Sequence, residues 1–166
     1  MELYLMRHGA AVNVGEQGAR TDAERMLSAE GVEKTTAVAR GLKAAGLVDL
    51  ERVIASPLVR ARQTAEIVAR VLAPRIEVEL ADELAPGADP PDVVRWLRSQ
   101  REARILLVGH MPDLSVLASY LIAGSDRGCI EFKKAGIAKI TFDHAVQRGA
   151  GCLEWLLPPG LLRRLA

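Results

Sequence analysis

Two short stretches, Leu3–Met6 and Ile105–Val108, read Leu-Tyr-Leu-Met and Ile-Leu-Leu-Val, with no charged residue in either. A strand wetted on one face alternates apolar and polar side chains, whereas an unbroken apolar run of strand length suits burial on both faces, as in a helix-covered parallel sheet. The intervening sequence keeps that promise. Strand 2–7 leads through a polar, glycine-bearing loop (Ala10 to Met26) to a helix from about Ala29 to Ala45. In that helix the apolar positions Val32, Thr36, Ala39 and Leu42 keep helical spacing, and Gly46 ends it. Strand 52–55 precedes helix 57–72, strand 76–80 precedes a Pro/Gly loop, and helix 91–101 precedes strand 104–109. Pro112 opens a short apolar helix that ends near Gly124. The tail departs from this alternation. Gly136 to Phe142 and Leu153 to Leu157, separated by the Gln147–Gly151 turn, read as an antiparallel hairpin, and Leu161 to Ala166 as a frayed or docked end. The expectation is an α/β fold: a three-layer α/β/α sandwich with a mostly parallel central sheet and a C-terminal antiparallel hairpin. A chain of 166 residues makes one such domain, residues 1–166, with no internal repeat or linker.

The chemistry collects where the apolar strands stop. In open α/β sheets, ligands bind outside the carboxyl ends of the strands. The first strand ends in Arg7-His8-Gly9, with a glycine that permits a sharp turn and close approach of a ligand. The strand at 104–109 ends in Gly109-His110. Two of the chain's three histidines therefore occupy equivalent strand ends. The third, His144, follows Asp143 in the hairpin connection and reads as solvated. Behind strand 52–55 comes Ser56-Pro57-Leu58-Val59-Arg60-Ala61-Arg62-Gln63-Thr64-Ala65. Ser56 is placed to N-cap the next helix, with Pro57 at its first position. Arg60 falls on the first turn, near the positive end of the helix dipole, a poor place for a cation unless an anion joins it.

Several function classes fall away. A net charge of +1 gives no footprint for nucleic acid. No apolar run approaches membrane-spanning length, and the N-terminus has no basic segment followed by an apolar signal region. Cys129 and Cys152 are too few and too scattered for a disulfide framework or a zinc site, so a reducing, cytoplasmic setting is expected. A zinc site on His8 and His110 with Asp113 or Glu83 is disfavoured because two arginines crowd the imidazoles. No metal and no cofactor are expected.

Taken in order, Arg7-His8-Gly9, Ser56-Pro57 with Arg60-Ala61 and Gln63-Thr64, and Gly109-His110 resemble the histidine phosphatase (phosphoglycerate mutase-like) superfamily. Within it, the chain is similar to the SixA-type phosphohistidine phosphatases. It shares with them the short length, the Arg25-Met26-Leu27-Ser28-Ala29-Glu30-Gly31 and Glu83-Leu84-Ala85-Pro86 segments, and the C-terminal pair of strands. After Gly9 come Ala10-Ala11-Val12 in place of the mutase branch's Glu-Ser segment, which puts mutase activity in doubt.

The resemblance implies a metal-independent phosphatase. Arg7 and Arg60 clamp the phosphoryl group, since a guanidinium fork matches phosphate geometry, and the SixA-type likeness adds Arg25 as a third contact. His8 attacks as neutral imidazole and forms a phosphohistidine that water hydrolyses, its other nitrogen donating to a carbonyl in the Gly9 turn. His110 stabilises the phosphoryl group from the far side. On geometry alone His8 and His110 are interchangeable; the resemblance assigns the attack to His8. Glu83 is the first candidate for a general acid, with Asp82 and Asp89 beside it. Only one helix separates the Glu83 loop from strand 104–109, so the rim is expected to be open enough for a side chain presented by another protein. The leading expectation is a monomer that dephosphorylates phosphohistidine on a partner protein. The alternatives are a small-molecule phosphomonoesterase and a non-catalytic phosphate-binding module.

Overall fold

A computed structural model describes residues 1–166. Six strands form one sheet in the order β3-β2-β4-β1-β5-β6. Strands β1 (Glu2–Arg7), β2 (Arg52–Ala55), β3 (Val78–Leu80) and β4 (Arg104–Gly109) run parallel. β5 (Ile137–Thr141) and β6 (Cys152–Leu157) complete it as the expected antiparallel hairpin. Alternate residues of β1 serve opposite layers. Leu3 and Leu5 join a core with α3 (Pro90–Leu97) and α4 (Asp113–Ala123). Tyr4 and Met6 join a second core with α1 (Ala29–Ala45) and α2 (Val59–Leu72). Both faces are covered, which is why the strand carries no polar alternation. The three-layer α/β/α sandwich follows.

β1 and β4 are neighbours in register, Arg7 opposite Gly109, and His8 N donates to Gly109 O at 3.1 Å. The chain leaves β1 toward the α1/α2 layer and leaves β4 toward the α3/α4 layer. That divergence opens a crevice at the carboxyl ends of the two strands.

Several local expectations need correction. Of the helically spaced positions of α1, Ala39 and Leu42 are buried, together with Gly31, Thr35, Val38 and Gly41, whereas Val32 is 42% exposed and Thr36 turns its hydroxyl to Val32 O at 2.8 Å. Close approach joins hydrophobicity in selecting the face: a Cβ on Gly41 would run into the backbone of Leu162. Leu162 is fully buried and ends α5 (Pro159–Leu162), so the tail is docked rather than frayed. Helix 91–101 shortens to Pro90–Leu97. Beyond it the side chains of Ser99 and Gln100 both donate to Trp96 O, at 2.6 and 3.0 Å, and compete with the helical ladder. Strand 76–80 shortens to Val78–Leu80 because Ile76 N closes a turn onto Ala73 O at 2.9 Å.

Ser56 is not a helix cap either. Helix α2 begins at Val59 after Leu58, with no side-chain cap. Instead the loop before α1 reaches across, and Ala23 O accepts from Val59 N at 3.1 Å. Ser56 is thereby left for another partner.

Candidate active site

His8 is 8% exposed, His110 3% and Arg60 6%, and all three meet at the β1/β4 crevice. The two imidazole rings lie tilted by 53° with centroids 5.1 Å apart. His8 Nδ1 lies 2.7 Å from Gly9 O. A carbonyl only accepts, so Nδ1 carries the proton and Nε2 keeps its lone pair. Onto that Nε2 Arg60 directs its Nε–H, at 3.3 Å. Burial pushes His8 down to about 3, against the pull of the Gly9 carbonyl and helped by His110, Arg60 and Arg7. The same burial, with the charge of Arg60, holds His110 at about 4. Both rings are neutral at neutral pH.

The neighbours of this pair explain the odd local sequence. Ser56, fully buried, sits with its Oγ 2.8 Å from His110 Nε2 and accepts from Leu58 N at 3.3 Å. Gly9 N donates to Thr64 Oγ1 at 3.0 Å, and that hydroxyl donates to Arg60 O at 2.7 Å, so α2 is tied to the turn that carries His8. Gly9 itself is required by the approach of a helix. A Cβ there would overlap the Thr35 hydroxyl of α1 and crowd Leu27 Cδ2 at 3.2 Å.

Arg7 reaches Phe132 O with Nη1 at 2.8 Å, while its Nε is buried with no acceptor. Burial lowers its pKa below the usual arginine value. An unmet donor on a desolvated cation beside a neutral imidazole pair is a place for an anion.

Glu83 stands on a 3-10 turn, Asp82–Leu84. With His110, Asp113 and the apolar wall of Leu84, Ala88, Leu114 and Leu117, it lines a pocket against the α3/α4 layer. Asp82 and Asp89 are exposed, and neither lines that pocket. His144 is exposed in the hairpin connection. Arg25 does not join the histidines. Its Nε donates to Val12 O at 2.6 Å and its Nη1 to Asp22 Oδ1 at 2.8 Å.

Sequence reasoning passed over Asp22. Its Oδ2 lies 2.8 Å from Arg60 Nη2 and its carbonyl 2.6 Å from Arg60 Nη1. Loop 10–26 has no periodicity to mark such a residue. The one available signal was an acid three positions before an arginine already singled out. No third His, Cys, Asp or Glu side chain converges on the histidine pair in a metal-holding arrangement.

Phosphoryl transfer needs an in-line nucleophile, donors for the equatorial oxygens and a path for the leaving group. The crevice supplies a lone pair at His8 Nε2, two guanidiniums and a second imidazole.

Comparison with known proteins agrees. Residues 3–85 match the family model of the histidine phosphatase superfamily (branch 1). The chain is 31% identical over 162 residues to the phosphohistidine phosphatase SixA of Escherichia coli (strain K12), covering 96% of this chain and 94% of that protein. It is 38% identical over 141 residues, 82% of each chain, to an uncharacterised protein of Picosynechococcus. A solved structure of the protein histidine phosphatase SixA complexed with tungstate superimposes with a TM-score of 0.84 at 31% identity, covering 98% of this chain and 99% of that one. At 19% identity and a TM-score of 0.74, the α-ribazole phosphatase of Shigella flexneri shares the fold, over 96% of this chain and 97% of its own. The chain belongs to the histidine phosphatase superfamily, branch 1, and is a phosphatase of the histidine type.

Proposed function

We propose that the enzyme hydrolyses phosphohistidine presented by a partner protein, through a phosphohistidine of its own on His8. The observation that carries this reading is the short connection on the leaving-group side. Between the Glu83 turn and β4 the chain spends only α3, and the pocket beside His110 is a mostly apolar slot edged by the carboxylates of Glu83 and Asp113. A flat imidazole on another protein's surface fits such a wall, and two acids suit its N–H. Two relatives that carry the name phosphohistidine phosphatase point the same way, the Escherichia coli protein and a Haemophilus influenzae homologue 29% identical over 154 residues.

In the first step His8 Nε2 bonds to phosphorus as the P–N bond to the substrate imidazole breaks. Arg7 and Arg60 hold the equatorial oxygens, and His110 donates a hydrogen bond to one of them. The substrate ring departs as neutral imidazole: the nitrogen leaving phosphorus keeps the bonding electron pair, and the ring's other nitrogen carries a proton supplied by Glu83 or by water. An imidazole, whose conjugate acid has a pKa near 6.5, is a far better leaving group than an alkoxide. In the second step water attacks phosphorus and gives its proton to the ionised Glu83 or to solvent, whichever supplied the first. The P–N bond to His8 breaks, inorganic phosphate leaves, and neutral His8 is restored.

The test compares turnover of a phosphohistidine-bearing protein domain with a panel of alkyl phosphates, using wild type and His8→Ala. The expected result is turnover of the protein substrate well above every alkyl phosphate, an acid-labile, base-stable label on wild-type His8, and no turnover by His8→Ala. Preference for an alkyl phosphate would make the enzyme a small-molecule phosphomonoesterase. Full activity in His8→Ala would remove the covalent route.

A further inference from the structure

The polar loop between β1 and α1 brings a carboxylate to the edge of the crevice. We infer that Asp22 is a positioning residue, which grips the end-on edge of the Arg60 guanidinium and thereby turns the side-on edge toward the phosphoryl site over His8. The inference rests on phosphoryl chemistry at His8 and not on the choice of leaving group.

A guanidinium offers an end-on edge, Nη1 with Nη2, and a side-on edge, Nε with Nη2. Either is a parallel pair of N–H donors matched to a carboxylate or a phosphate. In Arg60 the end-on edge is taken: Nη1 donates to Asp22 O at 2.6 Å and Nη2 to Asp22 Oδ2 at 2.8 Å. The Nε–H points at His8 Nε2, so the side-on edge lies where phosphorus must come to be attacked. A carboxylate standing in for substrate would occupy that inner edge; this one takes the other. Asp22 approaches from outside, its side chain 58% exposed against 7% for that of Arg60.

Asp22 is itself fixed. Its Oδ1 accepts from Arg25 Nη1 at 2.8 Å, and Arg25 Nε is anchored on Val12 O. Hydrogen bonds from Arg25 and then Arg60 hold the Asp22 carboxyl below the usual carboxylate range. Arg25 therefore acts on the site through Asp22 and Arg60. The same carboxylate offsets one of the three guanidinium charges gathered here, leaving a balance suited to a dianionic phosphoryl group.

The experiment is a double-mutant cycle in the full chain: Asp22→Ala, Asp22→Asn, Arg60→Ala and each Asp22 variant combined with Arg60→Ala. Steady-state kcat and KM are read on p-nitrophenyl phosphate, orthovanadate binding by calorimetry, and folding by thermal melting. Orthovanadate has no organic leaving group, so a wrong assignment of natural substrate alters the substrate preference but not this readout. Misaligning a clamp by about 1 Å costs on the order of 10²-fold. Asp22→Ala is therefore expected to lose about 10- to 100-fold in kcat and to weaken orthovanadate. Asp22→Asn, which keeps an acceptor for Nη2, should lose several-fold less. With Arg60 already alanine, removing Asp22 should cost less than about threefold, because contacting residues that act as a unit are not additive. An equal Asp22→Ala loss in both backgrounds would show a merely structural role. Tighter orthovanadate binding by Asp22→Ala would show a competing anion. Either overturns the inference. If Asp22→Ala melts below the assay temperature, the cycle is read with Asp22→Asn, under the same two criteria.

Discussion

Replacing Arg60 with alanine removes the side-on edge that faces His8 Nε2. That edge can form two charge-assisted hydrogen bonds to a phosphoryl group, each worth roughly 1.5–3 kcal/mol. Losing both should cost about 3–6 kcal/mol of transition-state binding, or roughly 10²- to 10⁴-fold in kcat/KM. Stability should suffer less, because Asp22 is largely solvated and keeps Arg25 as a partner. Arg60→Lys restores a cation without the fork and should recover about half of the lost free energy. Arg62→Ala is the control: its side chain is 47% exposed, and its only ion pair is the loose 3.6 Å contact with Glu66, a type worth about 0.3–0.5 kcal/mol. Initial rates on one substrate, with all variants checked by thermal melting, decide the matter. If Arg60→Ala stays within tenfold of wild type, or Arg62→Ala falls as far as Arg60→Ala, the assignment of the clamp to this helix face is refuted.

Glu83→Gln keeps size and hydrogen bonding but loses the transferable proton. It should cost roughly 10²- to 10⁴-fold on an alkyl phosphate and much less on phosphohistidine, and equal losses on both would refute the leaving-group argument. Nitrogen NMR of the imidazoles should show neither His8 nor His110 titrating between about pH 5.5 and 7.5, since they sit at about 3 and about 4; a midpoint near 6.5 for either would contradict the burial argument. These depressed values also set the sign of stability with pH. The unfolded chain takes up protons below about 6.5 that the folded chain refuses, so this contribution to stability is complete above that pH and the melting temperature should fall as pH drops toward 4. Gly9→Ala should destabilise by about 1–3 kcal/mol through overpacking against Thr35, and Thr35→Ala in the same chain should recover part of it. A Gly9→Ala protein that melts like wild type would show that α1 can yield.

The layered α/β architecture was legible because burial on both sheet faces writes itself into the chain as continuous apolar runs, as in β1 and β4. The strand-end motifs were legible because Arg7, His8 and His110 sit at fixed offsets from those runs. Pairwise side-chain geometry was not. Ser56 carries every local mark of a helix cap, yet its hydroxyl meets His110, an outcome that depends on how β2 and β4 pair. Along α1 hydrophobic spacing picked out the buried Ala39 and Leu42 but also the exposed Val32, while Gly31 and Gly41 are buried by virtue of being small. Asp22 was invisible because a loop has no period, and its importance appears only when α2 is folded beneath it.

The divergence of the chain at β1 and β4 divides the crevice by origin. The groups placed to grip phosphate come from residues 7–9 and from the start of α2, with loop 10–26 bracing them. The wall that would meet the departing group comes from residues 83–93 and the start of α4. The two supplies share only His110 and belong to opposite layers of the sheet. Substrate range can therefore be retuned like an interchangeable fitting: exchanging the 83–93 segment re-cuts the entrance while the phosphate cradle keeps its shape. Grafting that segment between relatives should move selectivity between protein and small-molecule phosphates with little change in how orthovanadate is held.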